Sequence, residues 1–464
     1  MNPEFTRNIW LQFSAGRLLL VPVVIGAVLL LTWLATWHSF LALRAVAEWI
    51  FYVVAVLWGT RRAADLVAEE IAGGTWDSQR MSALGAWQMT WGKFLGGTSY
   101  VWYAAGLVLI GRIAAAWLAG TPPWERGELI QLLQMIGTGL FGQAVSFVIS
   151  LALLRKQAMR RKLGVTVSQL AGLLASVAAS GHLDIGILFR HAPVIDWFFW
   201  RWPGDLFALA SLGLFLGWSL FGAYRLMRVE LQFRSAPWAW IGFTVFLMLY
   251  AEGLLYPAIR GIGGGLAPWL SGPFAIGVSL TYVALFLESK DVVRYRWFLA
   301  ALAAGERRQW AALLPQWLPV YVLAAVGAVL LSGSGGLSRL ADLVALAGPI
   351  TNWSGIDRAS SIMLFPIAVV LYLLRDVLVV LFFNFGAQRG RADLTAFICL
   401  MLVYFPLSGI LVTLGQIQFL PLLVPSPLAN PIFGIAAPFV ECAVLGTLVL
   451  GRLNAAGQLR PATA

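Results

Sequence analysis

The stretch Leu18–Trp37, LLLVPVVIGAVLLLTWLATW, decides the fold class. It carries no charge and is about 20 residues long, which is the length an α-helix needs to cross the roughly 30 Å hydrocarbon core of a bilayer. Similar runs recur along all 464 residues, of which 60% are hydrophobic and 11% charged. The mean hydropathy is +0.81. That apolar content excludes a water-facing globule, and the spacing of the runs leaves no room for a soluble domain of ordinary size.

Apolar runs between charged or turn-rich breaks predict about twelve spans. They fall near 18–37, 41–60, 95–118, 130–154, 164–180, 204–224, 238–258, 268–287, 311–332, 361–383, 394–414 and 431–451. The expected fold is therefore an all-α polytopic membrane protein. Before the first span, Phe5, Ile9 and Phe13 recur every four residues with Trp10 beside them and Arg7 opposite, the pattern of an amphipathic helix lying in the interface over 1–17.

Lys and Arg set the orientation, because cytoplasmic loops are enriched in both. Placing the N-terminus in the cytoplasm gathers Arg61, Arg62, Arg80, Lys93, the cluster Arg155 to Lys162, Arg225, Arg228 and the run Lys290 to Arg308 on one side. Both termini are then cytoplasmic. The formal charge of +11 follows from this bias and suits anionic headgroups, and no basic domain exists to bind nucleic acid. Cys399 and Cys442 sit in apolar runs as packing residues, and His38, His182 and His191 lack metal-ligand spacing, so no metal site is expected.

Three short matches share one offset of 220: Leu11-Gln12-Phe13 with Leu231-Gln232-Phe233, Gly85 with Gly305, and Leu154-Arg155 with Leu374-Arg375. They predict two homologous six-span halves, 1–224 and 225–464, in parallel orientation. Each half would open on an interfacial segment (1–17 and 225–240) and carry a cytoplasmic loop after its second span (61–94 and 288–310).

The first of those loops contains Glu69 to Lys93, EEIAGGTWDSQRMSALGAWQMTWGK, a charged amphipathic segment between two spans. Glu70, Gly74-Thr75, Trp76, Asp77 and Gly92-Lys93 stand in a set order, with eighteen positions from Gly74 to Gly92. In this it resembles the membrane subunits of the ABC-2 family of ATP-binding cassette transporters, whose equivalent loop runs Glu, spacer, Gly-Thr, hydrophobic, acidic, then Gly-Lys entering the third span. The family's central Thr-Pro is replaced here by Ser82-Ala83.

The resemblance implies a permease subunit in a prokaryotic inner membrane, leaning towards export. ATP and magnesium would be bound by two copies of a separate ATPase. Coupling would fall to Glu69, Glu70, Gly74, Thr75, Trp76, Asp77 and Lys93, and in the second half to Arg294 and Arg296. The residue types suit such coupling, with carboxylates for charged contacts, Trp76, Trp87, Met89 and Trp91 as apolar anchors, and Lys93 snorkelling to phosphates. No G-x-x-x-x-G-K-[ST] loop occurs, so the chain itself is not expected to hydrolyse ATP or to hold a cofactor.

Ionisable groups within spans are costly and mark functional positions. Glu48, Glu252 and Glu441 are candidates for a substrate path, and the adjacent Arg375-Asp376 either shares that role or anchors a helix. Two other classes remain. A secondary transporter has two six-span halves but a shorter loop after its second span. A membrane glycosyltransferase or polymerase would need outer carboxylates, for which Asp184, Asp196, Asp205, Asp342 and Asp357 are available.

Overall fold

A computed structural model describes residues 2–82, 84–154, 161–180, 193–233, 237–262, 267–334, 358–386, 391–426 and 431–458. Arg155, Lys156, Arg160, His182, His191, Asp184, Asp342 and Asp357 lie outside these residues, as does most of 181–203 and 333–360. The described chain divides into two compact units, 1–195 with 201–235, and 196–200 with 236–464.

The first unit opens with α1 (Pro3–Gln12) and α2 (Ala15–Ala35). Next, α3 (Phe40–Phe51) passes through a π-helical segment, Tyr52–Trp58, into α4 (Gly59–Ala72). The short α5 (Trp76–Arg80) leads to α6 (Ala86–Leu118), α7 (Arg126–Leu154) and α8 (Arg161–Ser180). Two short strands, β1 (Val194–Trp197) and β2 (Trp200–Pro203), precede α9 (Gly204–Glu230). The second unit contains α10 (Trp238–Ile262), α11 (Ala267–Leu287), α12 (Val292–Ala303), α13 (Arg307–Leu313) and α14 (Trp317–Gly333). It continues through α15 (Arg358–Asn384), α16 (Ala392–Leu402), α17 (Ser408–Thr413) and α18 (Pro431–Gln458).

Among the described residues, 11 helices are long and apolar enough to cross a membrane, or 12 if one bent pair forms a single span. The bent pair is α13 and α14, which meet at 93°. Proline at 315 is the cause: Leu314 takes φ −52°, ψ 124°, the extended conformation forced on a residue before proline, and the helix cannot run through it. The expected ninth span, 311–332, is thus α14 alone, with α13 turned away from it.

The segment 61–94 is far more helical than a loop. Arg61 and Asp65 pair at 3.0 Å one turn apart, and Arg62 reaches Glu69 at 2.7 Å, so charged side chains support the helix after the apolar run ends. A helix from 40 to 72 and α6 each have 33 residues. At 1.5 Å per residue that is about 50 Å, well beyond the bilayer core, so both project past it. Similarly, 225–230 belongs to α9, and 234–236 of the expected interfacial segment 225–240 lies outside the described residues.

Helix α1 is fixed by its ends and by its polar stripe. Asn2 caps it, accepting from the Glu4 N–H at 3.1 Å, and Pro3 occupies the first helical position. The buried residues are Glu4, Asn8 and Gln12, whereas Trp10 and Leu11 are 79% and 67% exposed. Its polar stripe therefore packs on protein, Trp10 and Leu11 turn outward, and Phe5, Ile9 and Phe13 are half-buried between the two. Close approach to α6 is possible because that surface is glycine: a Cβ on Gly92 would come within 2.6 Å of Glu4 Cβ and 2.8 Å of the Phe5 backbone nitrogen, and one on Gly96 within 2.8 Å of Asn8 Cβ. Gly92→Ala is expected to cost about 1–3 kcal/mol by overpacking. Gly106→Ala, inside the same helix where a Cβ meets nothing within 4 Å, is expected to be neutral or slightly stabilising, and thermal melting of the two variants checks the contrast.

One helix-ending motif occurs in both units. Gly74 (φ +68°) and Gly305 (φ +70°) close α4 and α12 in the left-handed conformation. Thr75 N–H bonds to Glu70 C=O at 3.0 Å, as Glu306 N–H does to Ala301 C=O at 3.0 Å, the Schellman pattern in both. The spacing is 231 residues (305 − 74), and the same spacing separates the starts of α5 and α13 (307 − 76) and of α6 and α14 (317 − 86). The matches at 220 do not join equivalent backbone. Gly85 precedes α6 with φ −69°, unlike Gly305, and Gln12 is helical while Gln232 has φ +64°.

Candidate functional site

Where α1, α4, α5 and α6 meet, four charges come together, with Lys93 and Glu4 buried and Glu70 and Arg7 towards the rim. Lys93, 1% exposed, points inward from α6 instead of snorkelling outward. Its Nζ lies 3.0 Å from Glu4 Oε1, pairs with Glu70 Oε2, and donates to Gln79 Oε1 at 2.5 Å. Arg7 completes the cluster, reaching Glu4 at 2.8 Å and pairing with Glu70. Burial works against the Arg7 charge, but Glu4 and Glu70 outweigh it and raise the pKa above the usual arginine value. Two carboxylates face two cations, so the cluster is neutral as a whole. Asn8 donates to Glu4 Oε1 at 3.1 Å, and the Lys93 ammonium sits 5.3 Å from the Trp76 ring.

The sequence-derived coupling residues therefore separate into two groups. Glu70, Lys93 and Trp76 are engaged inside the unit; Trp76 is 6% exposed and Met89 wholly buried in a core with Ala63, Val67, Phe94 and Phe147. Glu69 lies on the opposite side with Arg62, and Gly74 and Thr75 form the exposed turn after α4. The outward face belongs to Asp77, whose side chain is 84% exposed, with Met81 at 82% and Trp87 at 56%. Met81 is not among the anchors expected from sequence. In the second unit, Arg294 pairs with Glu288 at 3.4 Å, while Arg296 and Trp297 are exposed on α12.

The substrate-path candidates do not form one cluster. Glu48 on α3 accepts from Gln131 at 3.0 Å and lies 3.9 Å from Arg112. Arg112, fully buried, binds Glu128 at 3.1 Å, and Arg44 reaches the same carboxylate at 2.5 Å. This second balanced network, two arginines and two glutamates, ties α3, α6 and α7 together. Glu252 on α10 has both carboxylate oxygens buried without a hydrogen-bond partner among the described residues.

Glu441 on α18 joins a third network, 3.3 Å from Arg375. Arg375 donates from Nε to Asp376 Oδ1 at 2.9 Å and from Nη1 to the Leu423 carbonyl at 2.8 Å. Tyr282 and Tyr404 both donate to Asp376 Oδ2, at 2.5 and 2.8 Å, and the guanidinium lies 4.6 Å from the Tyr372 ring. Arg375-Asp376 is thus a buried junction of α11, α15, α18 and Val403–Leu407, the π-helical segment that follows α16 and carries Tyr404.

Glu4, Arg44, Arg112, Glu128, Tyr282 and Tyr404 are members of these three networks that sequence reasoning does not single out. The spacing Glu4-Asn8-Gln12 is a readable signal for the first of these, and Arg112 within an apolar run is a readable signal for the second network. No group of three or more His, Cys, Asp or Glu able to hold a metal occurs among the described residues. No protein-family model, curated protein or solved structure matches the chain.

Proposed function

We propose that this chain is the membrane permease subunit of an ATP-binding cassette transporter of the ABC-2 type, exporting its substrate and driven by separate ATPase subunits. The observation that carries the reading is the projecting turn between α4 and α6. Asp77, Met81 and Trp87 face outward there, above an ion-pair cluster that braces the segment from beneath. A tryptophan and a methionine beside a carboxylate suit the groove of a soluble partner, and a braced segment transmits displacement into α4 and α6 where a flexible loop would absorb it. The order of Glu70, Gly74-Thr75, Asp77 and Gly92-Lys93 supports the family assignment.

The 231-residue recurrence supports two six-span halves. In this reading the halves are parallel, both termini are cytoplasmic, and two ATPases sit beneath them in a prokaryotic inner membrane, supplying the phosphate loops, ATP and magnesium. The halves are unequal. At that spacing Glu70 corresponds to Ala301 and Lys93 to Ala324, and the buried charges beside α12 in the second half are instead Glu288 and Lys290, paired with Arg294 and Asp393.

The test is ATP hydrolysis by the reconstituted complex of this chain with the ATPase. Truncating a tryptophan that anchors an interface costs about 2 kcal/mol or more. Trp87→Ala should therefore weaken ATPase binding by roughly thirtyfold. Undiminished binding and hydrolysis would remove the docking role from this face.

A further inference from the structure

We infer that the first unit binds one phospholipid of net charge −1 in the groove between α2 and the helices behind it. This rests on the groove alone and is independent of the transport reading. Helix α2 has no fully buried residue and meets the core only along one edge, where Ile25 and Leu29 pack on the cluster around Phe51 and Val108. It is held at its start, where the Tyr100 and Tyr103 hydroxyls donate to the Arg17 and Leu18 carbonyls at 3.1 and 3.0 Å. Further along, Leu29 presses against Gly111, where an added Cβ would meet Leu29 Cδ1 at 2.8 Å.

Between these attachments lies a cavity of about 860 Å³, within the range of sites that hold a small organic ligand. Its walls are apolar, formed by Val24, Val54, Trp58, Val101 and Ala104, and its polar groups are Gln12, Arg17, Arg62 and Glu69. The polar groups come from the end of α1, the start of α2 and the body of α4, so they lie together at one end. Arg62 is neutralised by Glu69, with one guanidinium nitrogen 2.7 Å from both carboxylate oxygens. Arg17 is exposed, and among the described residues its guanidinium reaches the Gln12 carbonyl, at 3.3 Å.

Two cations and one carboxylate leave a net charge of +1 at that end, which matches one phosphodiester. The uncapped start of α2 adds the positive pole of a helix dipole. Trp58 and Tyr100, packed edge to face at 5.6 Å, are the aromatic pair expected at headgroup depth. A soluble anion would use Arg17 but gain nothing from the walls. An acyl chain uses both, since Leu20 and Val24 are 60% and 51% exposed towards the groove and the lipid side.

The purified chain is equilibrated with phosphatidylglycerol or phosphatidylcholine, washed, and weighed intact by native mass spectrometry. One phosphatidylglycerol should remain per chain, favoured about fivefold over phosphatidylcholine, the preference one arginine confers at a membrane surface. Arg17→Gln should abolish the preference while retaining some lipid. Val24→Trp should fill the groove and expel both lipids, whereas Leu19→Trp, 71% exposed and outside the groove lining, should change neither. Equal retention of the two lipids by the unaltered chain would overturn the proposal. So would full retention in Val24→Trp, loss in Leu19→Trp, or displacement of the lipid by millimolar inorganic phosphate.

Discussion

Lys93→Met is expected to destabilise the first unit by about 3–5 kcal/mol, because it strips the central cation from an ion-pair cluster. Glu4 is 3% exposed, and Lys93 is the buried cation at its Oε1, with Arg7 reaching it only from a half-open position. Once the ammonium is gone, Glu70 and Glu4 share Arg7 alone, and Gln79 loses its charged donor. The pair itself need not be a large net stabiliser, since bringing it out of water offsets much of the attraction. The cost arises from what is left behind. For that reason the double variant Lys93→Met, Glu70→Gln should recover part of the loss, and the coupling between the two sites should be of order 1–3 kcal/mol. Thermal melting of the purified chain reads both effects. A single variant as stable as the unaltered chain, or strictly additive losses, would mean that the cluster does not brace the turn between α4 and α6.

Asp376→Leu is the second large expectation, again about 3–5 kcal/mol. The carboxylate is wholly buried and accepts from Arg375, Tyr282 and Tyr404, which come from three helices. Its removal leaves Arg375 with Glu441 at 3.3 Å and the Leu423 carbonyl, and strands two tyrosine hydroxyls beside an apolar side chain. Asp376→Asn keeps an acceptor for the tyrosines and should cost less. The order of melting temperatures, unaltered above Asp376→Asn above Asp376→Leu, checks this. If Asn and Leu melt alike, the tyrosine hydrogen bonds are not what holds α11 and the π-helical segment after α16 to α15.

The all-α character and the number of membrane-length helices are legible because Leu18–Trp37 and its counterparts need only length and hydropathy to be recognised. What the span rule misses is where helices end. It stops at Arg61 and starts again near Leu95, whereas the ion pairs Arg61–Asp65 and Arg62–Glu69 carry the helix on to Ala72, and α6 starts as early as Ala86. The break between α13 and α14 is readable at Pro315, but a continuous apolar run conceals a bend.

The site is legible in part. The segment Glu69 to Lys93 holds residues from the ion-pair cluster and from the exposed turn, yet nothing in their order sorts one from the other. Lys93 meets Glu4 across 89 residues, a contact that depends on α1 docking against Gly92 and Gly96. The apolar repeat Phe5, Ile9, Phe13 draws attention away from the polar repeat Glu4, Asn8, Gln12 that makes that docking. Short identities at 220 are weak evidence of a repeat for a similar reason: in so apolar a chain, matches of one to three residues arise easily, while helix starts and a left-handed glycine are tied to backbone geometry.

The central proposal is that a separate ATPase docks on the turn between α4 and α6, and site-specific photocrosslinking tests it most directly. A photoreactive residue is placed at 81, 87 or 89 in the chain, co-expressed with a candidate ATP-binding cassette subunit. Positions 81 and 87 should crosslink to that subunit and position 89, buried in the core, should not. A chain that transports fully without any ATPase, or that crosslinks at none of the three positions while the complex hydrolyses ATP, would contradict it.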